Sequence, residues 1–228
     1  MVVALGPDIR VYRRNHRPRA SASGRNAPVE IRVGPREDLA MTRRPAHTTP
    51  RREELLAAYG RTVPDLVGAD MSVLLVGINP SLWSGHAGYH FARPANRLWR
   101  TLHEAGFTDR VLHPSETTEL RAAGIGITNF VRRATARADE VDPDEIRAGV
   151  ARLRRVVRTW RPPVVAFLGV TAYRIAFNAP KAAVGPQDEL FEGSRVWLLP
   201  NPSGLNAHYQ QPQLNEAYGE MRAALGEG

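Results

Sequence analysis

The chain has 228 residues, 43% of them hydrophobic and 24% charged, with no cysteine and a formal charge of +8. That length makes one good-sized domain plus an extra segment, or two small domains, with core enough to fold unaided by staples. The lack of cysteine excludes a disulfide framework, an iron–sulfur cluster, a thiolate-held zinc and a cysteine nucleophile. The apolar runs are a handful of residues each, far short of the roughly 20 that span a bilayer. Gly6, Pro7 and Asp8 also cut Val2–Leu5 below signal-peptide length. A soluble, intracellular protein is expected, with no membrane partner.

The charge is not spread evenly. Residues 1–52 hold twelve arginines, no lysine and four carboxylates, while the other 176 residues are electrically balanced. Six prolines and no apolar periodicity accompany this excess, so residues 1–52 are expected to form a disordered basic arm. Such an arm would hold polyanions through salt-sensitive phosphate contacts. Arginine outnumbers lysine 30 to 1, which a GC-rich coding sequence also explains, and Met41 offers a second start. The folded domain is expected over residues 53–228.

In chain order, the first strand is expected at Val73–Val76 and the first helix after it at Asn96–Ala105, ending at Gly106. A strand at Ile125–Asn129 precedes a long helix, Asp144–Trp160, which begins Asp142-Pro143-Asp144-Glu145 and stops at Pro162-Pro163. Strand Val164–Leu168, helix Thr171–Phe177, strand Val196–Leu199 and helix Leu214–Leu225 follow. Near-continuous apolar strands alternating with helices predict a three-layer α/β/α sandwich around a short, mainly parallel sheet. Its site should lie at the C-terminal ends of the strands.

Two of those ends carry unusual chemistry. After the first strand the chain reads Gly77-Ile78-Asn79-Pro80-Ser81-Leu82-Trp83-Ser84-Gly85-His86-Ala87-Gly88-Tyr89-His90-Phe91. No carboxylate occurs between Asp70 and Glu104, so this segment has no acidic general base. His86 and His90 have the spacing of a metal pair, but the glycines argue against a helix there and no metal is expected. After the last strand the chain reads Pro200-Asn201-Pro202-Ser203-Gly204-Leu205-Asn206, with Leu205 standing in a short polar turn. Neither segment fits a Walker loop or a dinucleotide fingerprint.

Together the two segments resemble the mismatch-specific uracil-DNA and thymine-DNA glycosylases of the uracil-DNA glycosylase superfamily. The resemblance extends through Pro94-Ala95-Asn96-Arg97-Leu98-Trp99 and Gly126-Ile127-Thr128-Asn129-Phe130-Val131-Arg132-Arg133, covering about residues 71–225. It implies a monofunctional DNA glycosylase without lyase activity. Such an enzyme would flip uracil, and related lesions such as ethenocytosine, out of guanine mismatches in double-stranded DNA and begin base excision repair. Asn79 would hold the hydrolytic water, Phe91 would stack on the flipped base, and main-chain groups at Ile78 and Phe91 would read its edge. Ser84 would face the pyrimidine 5-position and favour uracil over thymine, with His90 as a pocket wall. Leu205 would wedge into the duplex, flanked by Gly204 and Asn206 beside the opposite guanine. Ser203 and Arg132 would contact phosphate, with Arg133 and Arg137 as further candidates.

The bacterial pattern has arginine two residues after the wedge leucine, where this chain has Ala207. No cofactor is implied, and a cytoplasmic monomer acting on nucleoid DNA is expected. Three alternatives stand beside this reading: a lesion-binding module that does not cut, a superfamily glycosylase for single-stranded uracil or deaminated purines, and a nucleotide-binding α/β domain.

Overall fold

The computed structural model describes residues 9–11 and 49–226. They form strands β1 (Ile9–Val11), β2 (Asp65–Val67), β3 (Val73–Gly77), β4 (Ile125–Asn129), β5 (Val164–Leu168), β6 (Gly185–Phe191) and β7 (Ser194–Leu199). The helices are α1 (Arg52–Leu56), α2 (Leu82–Ala87), α3 (Leu98–Glu104), α4 (Thr117–Ala122), α5 (Pro143–Trp160), α6 (Val170–Phe177) and α7 (Gln211–Leu225). Apart from β1 and residues 49–52, the basic arm expected over 1–52 lies outside the described residues.

The four expected strands are the parallel centre of one sheet, in the order β4-β3-β5-β7. Every residue of β3, β4 and β5 is buried, as strands covered on both faces must be. The strands without a sequence signal lie outside this centre: β2 runs antiparallel on β4, β1 parallel on β2, and β6 antiparallel on β7. β2 is only three residues long, and β6 is polar and exposed between its buried ends, as suits an edge.

Alternate strand residues feed two cores. Val73, Leu75, Ile125, Ile127, Ala166 and Leu199 meet α3, α4 and α7 through Leu98, Leu102, Leu120, Leu214 and Tyr218. On the other face, Leu74, Val76, Val165, Phe167 and Leu198 meet α5 and α6 through Leu153, Val157, Ala172 and Tyr173. There the Phe167 ring stacks on Phe130 at 5.3 Å and meets the edges of Phe177 and Phe191. The result is the three-layer α/β/α arrangement. No helix among the described residues is long and apolar enough to cross a membrane.

One local expectation is corrected. The glycines of the segment after β3 argue for turns, yet Leu82–Ala87 is helical. Ser81 caps its start, accepting the Ser84 N–H at 3.3 Å, and Gly88, at φ 73, ends it. Gly85 serves packing instead: a Cβ there would stand 2.9 Å from the Ala134 Cβ and 3.0 Å from the Ala58 carbonyl.

Gly149 has the same role on a larger scale. A Cβ on this residue of α5 would stand 2.3 Å from the Phe130 carbonyl oxygen, so the helix meets the chain just past β4 backbone to backbone. Two effects oppose each other in Gly149→Ala. Helix propensity favours alanine by about 1 kcal/mol, while forcing main-chain atoms apart costs roughly 1–3 kcal/mol. Because the obstructing atom is backbone, the clash should win and the urea midpoint should fall. A raised midpoint would show that α5 can slide off β4 freely.

Candidate active site

The loops after β3, β4 and β7 enclose a cleft of about 710 Å³, part of it open to solvent. Ile78, Asn79, Ser84, His90, Phe91, Ser203 and Leu205 all line it, from two separate stretches of chain. Asn206 lines the adjoining groove, which runs past Leu205 to the start of α6. Arg132 is half-buried after β4 and lines neither space. Among the described residues no acidic side chain lines the cleft.

Asn79 has a defined orientation. Its Nδ2 lies 2.7 Å from the Thr135 hydroxyl, 3.1 Å from the Arg133 carbonyl and 3.2 Å from the Pro80 carbonyl. With the amide hydrogens drawn to these acceptors, Oδ1 is the outward atom, and no donor reaches it among the described residues. Thr135 can accept because its own hydroxyl proton goes to the Arg137 carbonyl at 2.6 Å. The loops after β3 and β4 are further joined main chain to main chain, Thr135 N–H to Pro80 O and Leu82 N–H to Thr135 O, both at 3.1 Å. The Arg133 guanidinium is spent on a bidentate pair with Glu145 at 2.5 and 2.7 Å, which pulls that carboxyl down to about 2.

The floor of the cleft is built around Gly77. A Cβ there would stand 2.4 Å from Asn129 Oδ1 and 3.1 Å from the tip of the Phe91 ring. Phe91 reaches this place through a left-handed backbone, φ 50, unusual for a bulky side chain. Two bonds hold it: the Trp99 indole donates to the Phe91 carbonyl at 3.1 Å, and the Ala92 N–H donates to Ser84 Oγ at 3.2 Å. The main-chain N–H groups of Ile78 and Phe91 meet no acceptor among the described residues. Ser84 is fully buried in α2, and its hydroxyl also lies 3.3 Å from that of Ser81.

Asn129, at the end of β4, was not singled out from the sequence, and neither was Thr135. An asparagine closing an apolar parallel strand was the available signal for the first. Thr135 has none, since its partner is 56 residues away. The Asn129 amide is oriented by His90: Asn129 Nδ2 donates to His90 Nδ1 at 3.2 Å, while His90 Nε2 donates to the Pro64 carbonyl at 2.9 Å. That pattern requires a neutral ring, and burial pushes the His90 pKa below its ordinary value. Behind it lies a buried network, with Arg152 donating to Asp65 at 2.5 Å, to the Thr128 hydroxyl at 3.0 Å and to the Asn129 carbonyl. His90 is thus committed within the fold, and no cluster of three metal-ligating side chains exists among the described residues.

The loop after β7 turns its carbonyls inward. Asn206 is consumed within it: Nδ2 donates to the Asn201 carbonyl at 2.9 Å, Oδ1 accepts the His208 N–H at 3.2 Å, and its own N–H goes to the Ser203 carbonyl at 3.0 Å. Leu205 projects from the tip, 67% exposed, with its N–H 3.3 Å from Ser203 Oγ. Such an arrangement can seat a planar base on Phe91, meet its edge with amide groups, place a water on Asn79 and offer an apolar finger alongside.

His90 gives a test of this geometry. Its native pKa lies below the ordinary 6.5, so between the two values the unfolded chain binds a proton that the native one does not. The stability it contributes is present above about pH 6.5 and is lost as pH falls toward the native value. Between about pH 8 and about pH 5.5 the urea midpoint should fall further in the wild type than in His90→Gln, which keeps polar partners without a titrating ring. An equal fall in both would overturn the assignment.

The sequence profile of the uracil DNA glycosylase superfamily matches residues 64–225. The fold is similar to the solution structure of a Methanosarcina acetivorans protein described as a candidate uracil DNA glycosylase. The TM-score is 0.52 at 17% identity, over 73% of this chain and 98% of that one. With the profile spanning most of the sequence, the chain belongs to the uracil DNA glycosylase superfamily, whose members are hydrolases that cleave the N-glycosidic bonds of bases in DNA.

Proposed function

We propose that the protein is a monofunctional glycosylase that removes uracil from guanine–uracil mismatches in double-stranded DNA, acting as a cytoplasmic monomer. The observation that carries this reading is the Asn79 amide, pinned through Nδ2 and open at Oδ1, beside the Phe91 ring in a cleft without carboxylates. The uracil flips out of the duplex and stacks on Phe91, a contact worth roughly 1–3 kcal/mol. The Ile78 and Phe91 N–H groups and the Asn129 amide meet the polar edge of the base. A water on Asn79 Oδ1 forms the new bond to C1′ as the C1′–N1 bond breaks. Its proton passes to solvent, and the electron pair leaves on the uracil ring, where the N–H donors stabilise it. An amide can place the water but cannot take its proton, so rate comes from positioning and electrostatics.

The monofunctional assignment is what the resemblance implies, and the placement of the lysine agrees with it. A lyase step needs an amine to attack C1′, and the only lysine of the chain, Lys181, is exposed between α6 and β6, away from the cleft. Leu205 fills the vacated stack. With the Asn206 polar groups consumed and Ala207 lacking a guanidinium, guanine recognition falls to main-chain groups of Gly204 and Leu205.

Single-turnover base release from labelled duplexes holding uracil opposite guanine, uracil opposite adenine and thymine opposite guanine tests the reading. Release should be fastest from the first. Asn79→Ala should slow it by about 10²–10³-fold, the usual loss for one preorganised polar group, with DNA binding kept within a few-fold. Ser84→Gly should raise thymine release relative to uracil, by opening space against the 5-methyl group. Absence of release from every duplex, with tight binding retained, would replace the enzyme with a lesion-binding module.

A further inference from the structure

Arg97 stands where a cation is electrostatically disfavoured, half-buried at the first turn of α3, at the positive end of the helix dipole. What compensates is a set of carbonyls from one distant segment. Nη1 donates to Tyr209 O at 2.6 Å, and Nη2 donates to Ser203 O at 2.7 Å and Asn206 O at 3.0 Å. The Arg97 main-chain N–H donates to Pro202 O at 3.0 Å. One residue therefore collects four carbonyls from the eight-residue stretch 202–209. The seat is tight as well, since a Cβ on Gly204 would stand 2.6 Å from the Ala95 carbonyl. Arg97 itself lines neither the cleft nor the adjoining groove.

We infer that Arg97 is a positioning residue for base extrusion: it holds the loop after β7 in the one shape that presents Leu205 outward, and acts on the target nucleotide only through that leucine. The inference rests on the proposed role of Leu205 as the wedge. The guanidinium is suited to this task because its planar fork serves acceptors on two sides at once. A lysine at the same place is a single flexible point donor and cannot span Ser203, Asn206 and Tyr209 together. A loose loop would still carry Leu205 but would deliver it over a range of positions, and misplacement by about 1 Å can cost on the order of 100-fold in rate.

Four variants decide the matter: Arg97→Ala, Arg97→Lys, Leu205→Ala and the Arg97→Ala/Leu205→Ala double. In the free protein, hydrogen exchange of the amides over residues 203–209 should speed up about tenfold or more in both Arg97 variants, with β3 and α5 unchanged. On guanine–uracil duplexes, Arg97→Ala should slow single-turnover release by about 10–100-fold. It should also reduce the fluorescence rise of a 2-aminopurine placed beside the uracil. In the Leu205→Ala background the same change should add little, because its route to the target nucleotide is gone. Unchanged loop exchange, or an additive double variant, would overturn the inference. Faster exchange spread through β3 and α5 in both Arg97 variants would overturn it too, by marking Arg97 as a general fold residue. Should the wild type release no base from any duplex, the proposed activity fails, while loop exchange and 2-aminopurine unstacking on binding still report on Arg97.

Discussion

The cleft depends on there being no side chain at residue 77. Gly77 ends the central strand β3, and the space its missing Cβ would occupy is shared by the Asn129 amide and the Phe91 ring. Those two groups come from opposite directions, one from the neighbouring strand and one from the far end of a fourteen-residue excursion. They meet only because the strand end is bare. The left-handed backbone at Phe91 is the strain this convergence requires, and the Trp99 indole and Ser84 hydroxyl hold it in place. Any side chain at residue 77 would displace the ring, the amide or both.

Around that point the polar groups of the cleft are oriented from behind. Asn79 is aimed by Thr135 and the Arg133 carbonyl, Asn129 by a neutral His90, and the strand carrying Asn129 by Arg152 and Asp65. Two of these orienting groups have a partner of their own: the Thr135 hydroxyl donates to the Arg137 carbonyl and His90 to the Pro64 carbonyl. Removing one member of the Arg152–Asp65 pair would strand a buried charge, a change that typically costs about 3–5 kcal/mol. The pair's main effect on the site is directional, since it ties β2 and α5 to the strand end on which Asn129 sits.

The sequence disclosed the parts of this design whose causes are local. β3, β4, β5 and β7 were legible because each holds a near-continuous apolar run ended by Gly, Asn or Pro, and α5 because it carries its own start signal and stops at Pro162-Pro163. Asn79, Phe91 and Leu205 were singled out through resemblance, and all three line the cleft. The remainder depends on partners far away in sequence. β2 and β6 are strands because a neighbour offers them an edge, and residue 85 is a glycine because Ala134 and Ala58 come close. Thr135 and Arg97 owe their roles to atoms 56 and more than 100 residues distant. Nothing in a local window foretells those contacts.

The loop after β7 has a thermodynamic consequence. Fixing one residue's backbone costs about 1–2 kcal/mol in conformational entropy, and an unstructured finger of this length would lose that freedom on every encounter with a duplex. Here the carbonyls are engaged before any ligand arrives, so the ordering is completed once, during folding. In the proposed wedge role of Leu205, the free energy of association is then left for unstacking the nucleotide instead of being divided between shaping the tool and using it.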